Sequence, residues 1–500
     1  MNASDTTTAA RRPPKAWPLE SALISAALAA QRVSWIDAPA RALGLKPFTR
    51  QHLTRQVLAQ LRRTAGGRPT RLRTAFGTFL MPLNADDATG LIDRAEEAGA
   101  RGTVTALTAQ GRRLRVTPHA ALPVALGAVR AQVREAVARE AAEIYAARRT
   151  DGGVARDDWC ALTARLARRI VLGDDAADDS LISAILEAVA QADDSTEYAA
   201  RAAALRRRLD AYVHAAHPAG LAGSVRDEVA DDTRDAAVED TRGAIAEDTR
   251  DAVVEHVLET LTRALADTVP QALALLTVQP LMPATDRTER AVGEALRRYP
   301  PLAASLHEVR APFTWHGTAV DAGTEILCAT AWLRDLEEAQ GHGSHDPSAS
   351  LCAAPGPCAA AELAVLTATE LVRALTRHGE PVVLAPHLTP DALPADLPAA
   401  SLRLALADDA HAAADLAARP VADGYVAPAA GQSPAHYAAF TEAGACSLEE
   451  HARKLTDCAR QSGWNHDAFG EQCRMTLLAH AERCTRAAAD ARRAAEWLAN

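Results

Sequence analysis

Cys358 stands in the stretch APGPCAAAEL, just ahead of an alanine-rich run that reads as a helix. A thiol at a helix N-terminus lies near unpaired backbone N–H groups and the positive end of the dipole, and both favour the thiolate. Such a thiolate can ligate a metal, although the same residue also reads as a buried structural cysteine. Gly356 and the alanines at 359–361 leave space for a flat ligand to approach the backbone. Two further spacings could carry chemistry. In EALRRYPP, Glu294 and Arg297 sit one turn apart on a helix that Pro300 ends, the spacing of an ion pair. In ALADTVP, Pro270 cannot donate to the carbonyl of Ala266, so the helix should distort beside Asp267 and Thr268. That acid and hydroxyl could deliver protons, or Asp267 could face solvent on a kinked core helix.

The elements around these residues are mostly helical. Residues 47–67 form an amphipathic helix closed by Gly66 and Gly67. Two short strands meeting at Gly77 follow, then a helix begun by Asn84, Asp86 or Asp87. Residues 100–123 read as irregular and basic, and 124–270 as nearly all helix. The octads DDTRDAAV, EDTRGAIA and EDTRDAVV, residues 231–254, read as a charged, solvated helix face. Alternating apolar residues at 305–330 predict a small β region, residues 359–379 a helix ended by Gly379, and 380–405 loops with short strands.

Taken together and in this order, these features resemble the cytochrome P-450 family of heme-thiolate oxygenases. ALADT is similar to its Ala-Gly-x-Asp/Glu-Thr motif, EALR to Glu-x-x-Arg, and WHGTAVDAGTEI with Arg334-Asp335 to its Gly-Thr strand and arginine–aspartate ending. Cys358, Leu363 and Ala364 fit the cysteine loop, with Leu351, Ala354 and Ala360 in place of its aromatic residue and glycines. The resemblance covers residues 17–405. It implies a mainly α, cytochrome P-450-like helical domain with a small β region, holding heme b (iron protoporphyrin IX). Cys358 would be the axial thiolate to the metal, and Glu294 with Arg297 a structural pair behind the heme. Arg310 would meet a propionate, His119, Arg112 and Arg113 are further candidates for that task, and Asp267 with Thr268 would deliver protons. The implied activity is monooxygenation of a small or medium organic molecule, in specialised metabolism, with electrons from a ferredoxin and ferredoxin reductase. A peroxide-driven enzyme is one alternative. A non-catalytic family member that binds and activates a partner enzyme is another.

Bulk properties narrow the classes. With 48% apolar but only 4% aromatic residues, alanine and leucine must build the cores, as in a helical protein. A net charge of −10 argues against nucleic acid as the main partner. The absence of a membrane-length apolar run and of a signal-like start leads us to expect a cytoplasmic protein with reduced thiols. Residues 1–16 read as a frayed tail and 406–500 as a helical extension. There Cys446, Cys458, Cys473 and Cys484, with His480 nearby, could gather on two antiparallel helices, either as a metal site or within a plain hairpin for dimerisation or partner docking.

Overall fold

One helix organises the larger part of the molecule. From Glu239 to Leu276 the computed structural model runs as an α-helix, a π-helical turn at Ala264–Thr268, and an α-helix again. The turn sits where Pro270 removes the donor for Ala266, so the distortion expected from the sequence is present. Arg156 repairs it, its Nη1 donating to the Ala266 carbonyl at 2.9 Å. The structure describes residues 12–31, 50–74, 77–108, 112–148, 152–216, 220–225, 239–278, 284–339, 346–386, 388–390, 393–394, 397–408 and 411–413, scattered positions at 442–460, and 468–499.

Helices are numbered α1 Pro18–Gln31, α2 Arg50–Ala65, α3 Ala85–Glu97, α4 Leu126–Ala146, α5 Arg156–Leu172, α6 Ser180–Ala190, α7 Ser195–Ala215, α8 Glu239–Arg263, α9 Val269–Leu276, α10 Ala284–Arg298, α11 Thr330–Ala339, α12 Ala359–His378 and α13 Ala468–Ala499. The principal core gathers Val257, Leu258 and Leu261 of α8, Leu273 of α9, Val133 and Val137 of α4, and Leu371 and Leu375 of α12. Asn84 caps α3, its side chain accepting from the Asp87 N–H at 2.6 Å. Gly379 ends α12 because a Cβ there would stand 2.4 Å from the Ala407 carbonyl oxygen.

Six strands form one sheet in the order β1-β2-β8-β5-β3-β4, where β1 is Thr70–Thr74, β2 Gly77–Met81, β3 Arg101–Thr108, β4 Arg113–Arg115, β5 Leu302–Val309 and β8 Glu325–Cys328. Only β2 and β8 pair in parallel within it. The β1–β2 hairpin turns where expected, with Gly77 at φ +140°. Residues 100–123 correct the sequence reading. Instead of being irregular they hold β3, which pairs antiparallel with β5 some two hundred residues later, and β4. Two hairpins complete the strands: β6 Phe313–Trp315 with β7 Thr318–Val320, and β9 Glu380–Ala385 with β10 Arg403–Ala407. The result is mainly α with a small β region. Among the described residues no helix is long and apolar enough to cross a membrane.

The first octad, 231–238, lies outside the described residues. The last is not wholly a solvated face, because Arg250, Val253 and Val254 are buried and Arg250 pairs with Asp210 and Asp251.

The chain divides into two compact units, Met1–Asp37 with Lys46–Arg419, and Ala38–Leu45 with Pro420–Asn500. In the second, Ala445, Ala452 and Ala459 are buried, as are Ala481, Ala488 and Ala495 on α13. Each trio recurs every seven residues, the seam of two closely packed helices. Arg492 fastens that seam by pairing with Glu442 and Glu449. Cys446 is exposed and Cys484 half-buried. The side chains of Cys458, Cys473 and His480 lie outside the described residues, and so does the question whether four cysteines gather there.

Candidate functional site

Four side chains from three distant segments converge. They are His119 between β4 and α4, His256 on α8, Cys352 in the loop before α12, and Cys358 at its N-cap. Their ligand atoms all lie within 4.8 Å of one another. His256 Nε2 is 3.3 Å from Cys358 Sγ and 3.7 Å from Cys352 Sγ, and His119 Nδ1 is 3.7 Å from Cys352 Sγ. The two imidazoles meet edge to face at 82°, with ring centroids 5.4 Å apart. His119 is half-buried and the other three are buried.

The electrostatics divide the two thiols. A hydrogen bond from Cys352 pulls Cys358 far below the usual thiol range, against the effect of burial, and His119 and His256 pull it further. The same bond, with burial, pushes Cys352 well above that range. Cys358 is thus the more acidic of the two thiols.

One face of α8 holds the arrangement in place. His256, Glu259 and Arg263 recur at helical spacing, and each reaches a different neighbour. Glu259 accepts from the Thr117 N–H at 2.8 Å and its hydroxyl at 2.5 Å, docking the strand that leads to His119. Arg263 donates to the Leu351 carbonyl at 3.0 Å, docking the cysteine loop, and pairs with Glu259. The loop is fixed from other sides as well. Ser305 and His307 of β5 donate to the Ala353 carbonyl at 2.8 and 3.2 Å, and Arg334 of α11 donates to that of Pro355 at 2.8 Å. The Ala354 N–H points at Cys352 Sγ, 3.4 Å away.

Of the residues singled out from sequence, Cys358 and His119 are in the cluster. Glu294 and Arg297 form their expected ion pair, with nitrogen–oxygen distances of 2.8 and 2.9 Å, and Arg298 joins it. Burial raises Glu294, but the hydrogen bonds from Arg297 and Arg298 outweigh it and hold the carboxyl below its usual range. Arg310 is exposed at the end of β5, and Arg113 pairs with Glu325 at 3.5 Å. Asp267 pairs with Arg156 at 3.6 Å, while the buried Thr268 hydroxyl has no hydrogen-bond partner among the described residues. Thr268 lies twelve residues beyond His256, roughly 18 Å along the helix. The acid–threonine pair one turn from His256 is Glu259–Thr260, and Thr260 is buried. His256, Cys352, Glu259 and Arg263 are the residues that the sequence reading missed. Only the short spacing between Cys352 and Cys358 offered a local signal.

No family model matches this chain and no curated protein is similar to it. Among solved structures it is similar to several cytochromes P-450. The cytochrome P-450 hydroxylase LnmZ from the leinamycin biosynthetic pathway of Streptomyces atroolivaceus is 17% identical with a TM-score of 0.40, over 62% of this chain and 93% of that one. CYP101J2 is 14% identical with a TM-score of 0.40, over 64% and 84%. A variant of CYP105P1 is 14% identical with a TM-score of 0.43, over 70% and 96%. The chemistry of the Cys352–Cys358 region rests on its own residues.

As they stand, those residues fill the position beside Cys358 that a porphyrin iron would take. A macrocycle needs a broad slab, free of side chains, between its axial thiolate and whatever covers its other face. Here His256 stands 3.3 Å from Cys358, and Cys352 and His119 crowd the same centre. A Cβ at Gly356 would lie 3.1 Å from Thr89 Cγ2 of α3, so the loop packs closely against that helix.

Proposed function

We propose that this chain is a cytochrome P-450-like protein that does not perform oxygen chemistry on a porphyrin and works by binding another protein. The observation that carries this reading is the His119, His256, Cys352 and Cys358 cluster, whose four donor atoms lie within 4.8 Å of one another between the long helix and the cysteine loop. The second unit, with its alanine seam, supplies a helical element for docking a partner. The protein activates or positions an enzyme and keeps the scaffold of an oxygenase without its cofactor.

A second reading is favoured by Cys358 at the N-cap of α12 and by the Glu294–Arg297 pair. In it the chain is a heme-thiolate monooxygenase of a small or medium organic molecule in specialised metabolism. Electrons would come from a ferredoxin and its reductase, or peroxide would serve as oxidant. This reading requires His256 and Cys352 to swing away from Cys358. Expression with ample heme supply separates the two. The first reading expects purified protein without stoichiometric heme and without a thiolate-type band in the reduced, carbon-monoxide-bound spectrum. A stoichiometric heme whose band disappears in Cys358→Ala would overturn it in favour of the second.

A further inference from the structure

We infer that His119, His256, Cys352 and Cys358 bind one zinc ion in a closed, structural site. This rests on the reading that no porphyrin occupies the centre. Zinc is held tetrahedrally by sulfur at about 2.3 Å and nitrogen at about 2.0–2.1 Å, which places its donors about 3.3–3.8 Å from one another. Three of the six donor separations are 3.3, 3.7 and 3.7 Å, inside that range, and all six are within 4.8 Å.

Donor chemistry selects the ion. Two sulfurs and two imidazole nitrogens suit zinc, whereas magnesium and calcium seek oxygen. With four protein ligands no position stays open for water or substrate, which marks a structural ion and not a catalytic one. The site is also built. Glu259 docks the segment bearing His119 and Arg263 docks the loop bearing both cysteines, each from the helix that carries His256. The Ala354 N–H aimed at Cys352 Sγ is the kind of hydrogen bond that steadies a ligating sulfur. The ion ties three segments that are far apart in sequence, so it takes over the cross-linking that a cofactor would otherwise provide at the centre of such a fold.

The test is metal analysis of the full chain, purified without chelator under reducing conditions. About one zinc per chain is expected, falling to background in Cys358→Ser and in His256→Ala. Cys328→Ser, which alters a buried thiol on β8 outside the cluster, should keep its zinc. Should the ligand variants misfold, wild-type protein stripped of metal and given cobalt(II) provides an independent readout. A tetrahedral thiolate site then shows intense visible d–d bands and sulfur-to-cobalt charge transfer. Zinc retained by folded Cys358→Ser, or stripped wild-type protein that binds neither zinc nor cobalt, overturns the inference. A chain containing neither heme nor zinc removes this site while leaving the proposed function standing, whereas stoichiometric heme removes both.

Discussion

The repair of the long helix gives a prediction that can be worked through. Pro270 has no N–H for the Ala266 carbonyl, and Arg156 Nη1 supplies the missing donor at 2.9 Å. Arg156→Ala leaves a partly buried carbonyl without a partner, which costs about 1–2 kcal/mol. It also removes the 3.6 Å pairing with Asp267, both side chains of which are around one-third or more exposed, so that loss is below about 1 kcal/mol. The single substitution should therefore cost about 2 kcal/mol. In a Pro270→Ala background residue 270 recovers an N–H that can serve the helix, and Arg156→Ala should then cost less than about 1 kcal/mol. Urea unfolding of the four proteins measures the difference, a coupling of about 1 kcal/mol. If Arg156→Ala costs the same in both backgrounds to within about 0.4 kcal/mol, Arg156 does not compensate for the proline.

Three other outcomes are expected. Burial, then the nearby charge of Arg101, depresses His307 from 6.5 to about 4. The unfolded chain thus takes up the proton first as pH falls, and stability present above pH 6.5 is lost on the way to pH 4. That loss is about 3 kcal/mol, and unfolding of wild type and His307→Gln at pH 7 and pH 4 should show the variant losing correspondingly less. Glu259→Ala leaves the Thr117 N–H without its acceptor and Arg263 without its partner, a cost of about 2–4 kcal/mol. Hydrogen exchange should then quicken at Thr117 and Leu351 before it does on α8; unchanged protection at both would count against the docking role. Ala488, fully buried on the alanine seam, should not accept leucine. Ala488→Leu is expected to cost about 1–3 kcal/mol of the second unit's stability by thermal unfolding, and a neutral result would mean the helices are not closely apposed there.

What could be read from sequence follows how locally each feature is determined. The β1–β2 hairpin turns at a glycine, α3 starts on an asparagine cap, α12 ends at Gly379, and the long helix distorts beside Pro270. Each of these is decided within a few residues. The strand in RGTVTALT was missed because its partner β5 is some two hundred residues away and its own pattern is rich in threonine and arginine. The cluster is a stronger case. Cys358 was legible through its place before a helix, His119 was named only for a propionate that the resemblance implied, and His256 looks like any helical histidine until tertiary packing sets it beside two sulfurs. Asp267–Thr268 stands two turns past Glu259–Thr260, the acid–threonine pair beside His256. A kink is a local signal, whereas the position of a site along a helix depends on what packs against it.

The donor for the Ala266 carbonyl comes from a residue 110 positions earlier in the chain. A defect in one helix is thus mended by a side chain from another, and this joins the histories of positions 156 and 270. At a coupling of about 1 kcal/mol, the proline is better tolerated where an arginine stands at the start of α5, and the arginine is lost at less cost once the proline has gone. Divergent sequences aligned with this chain should show the two positions changing together, with position 267 free to drift once both have been lost.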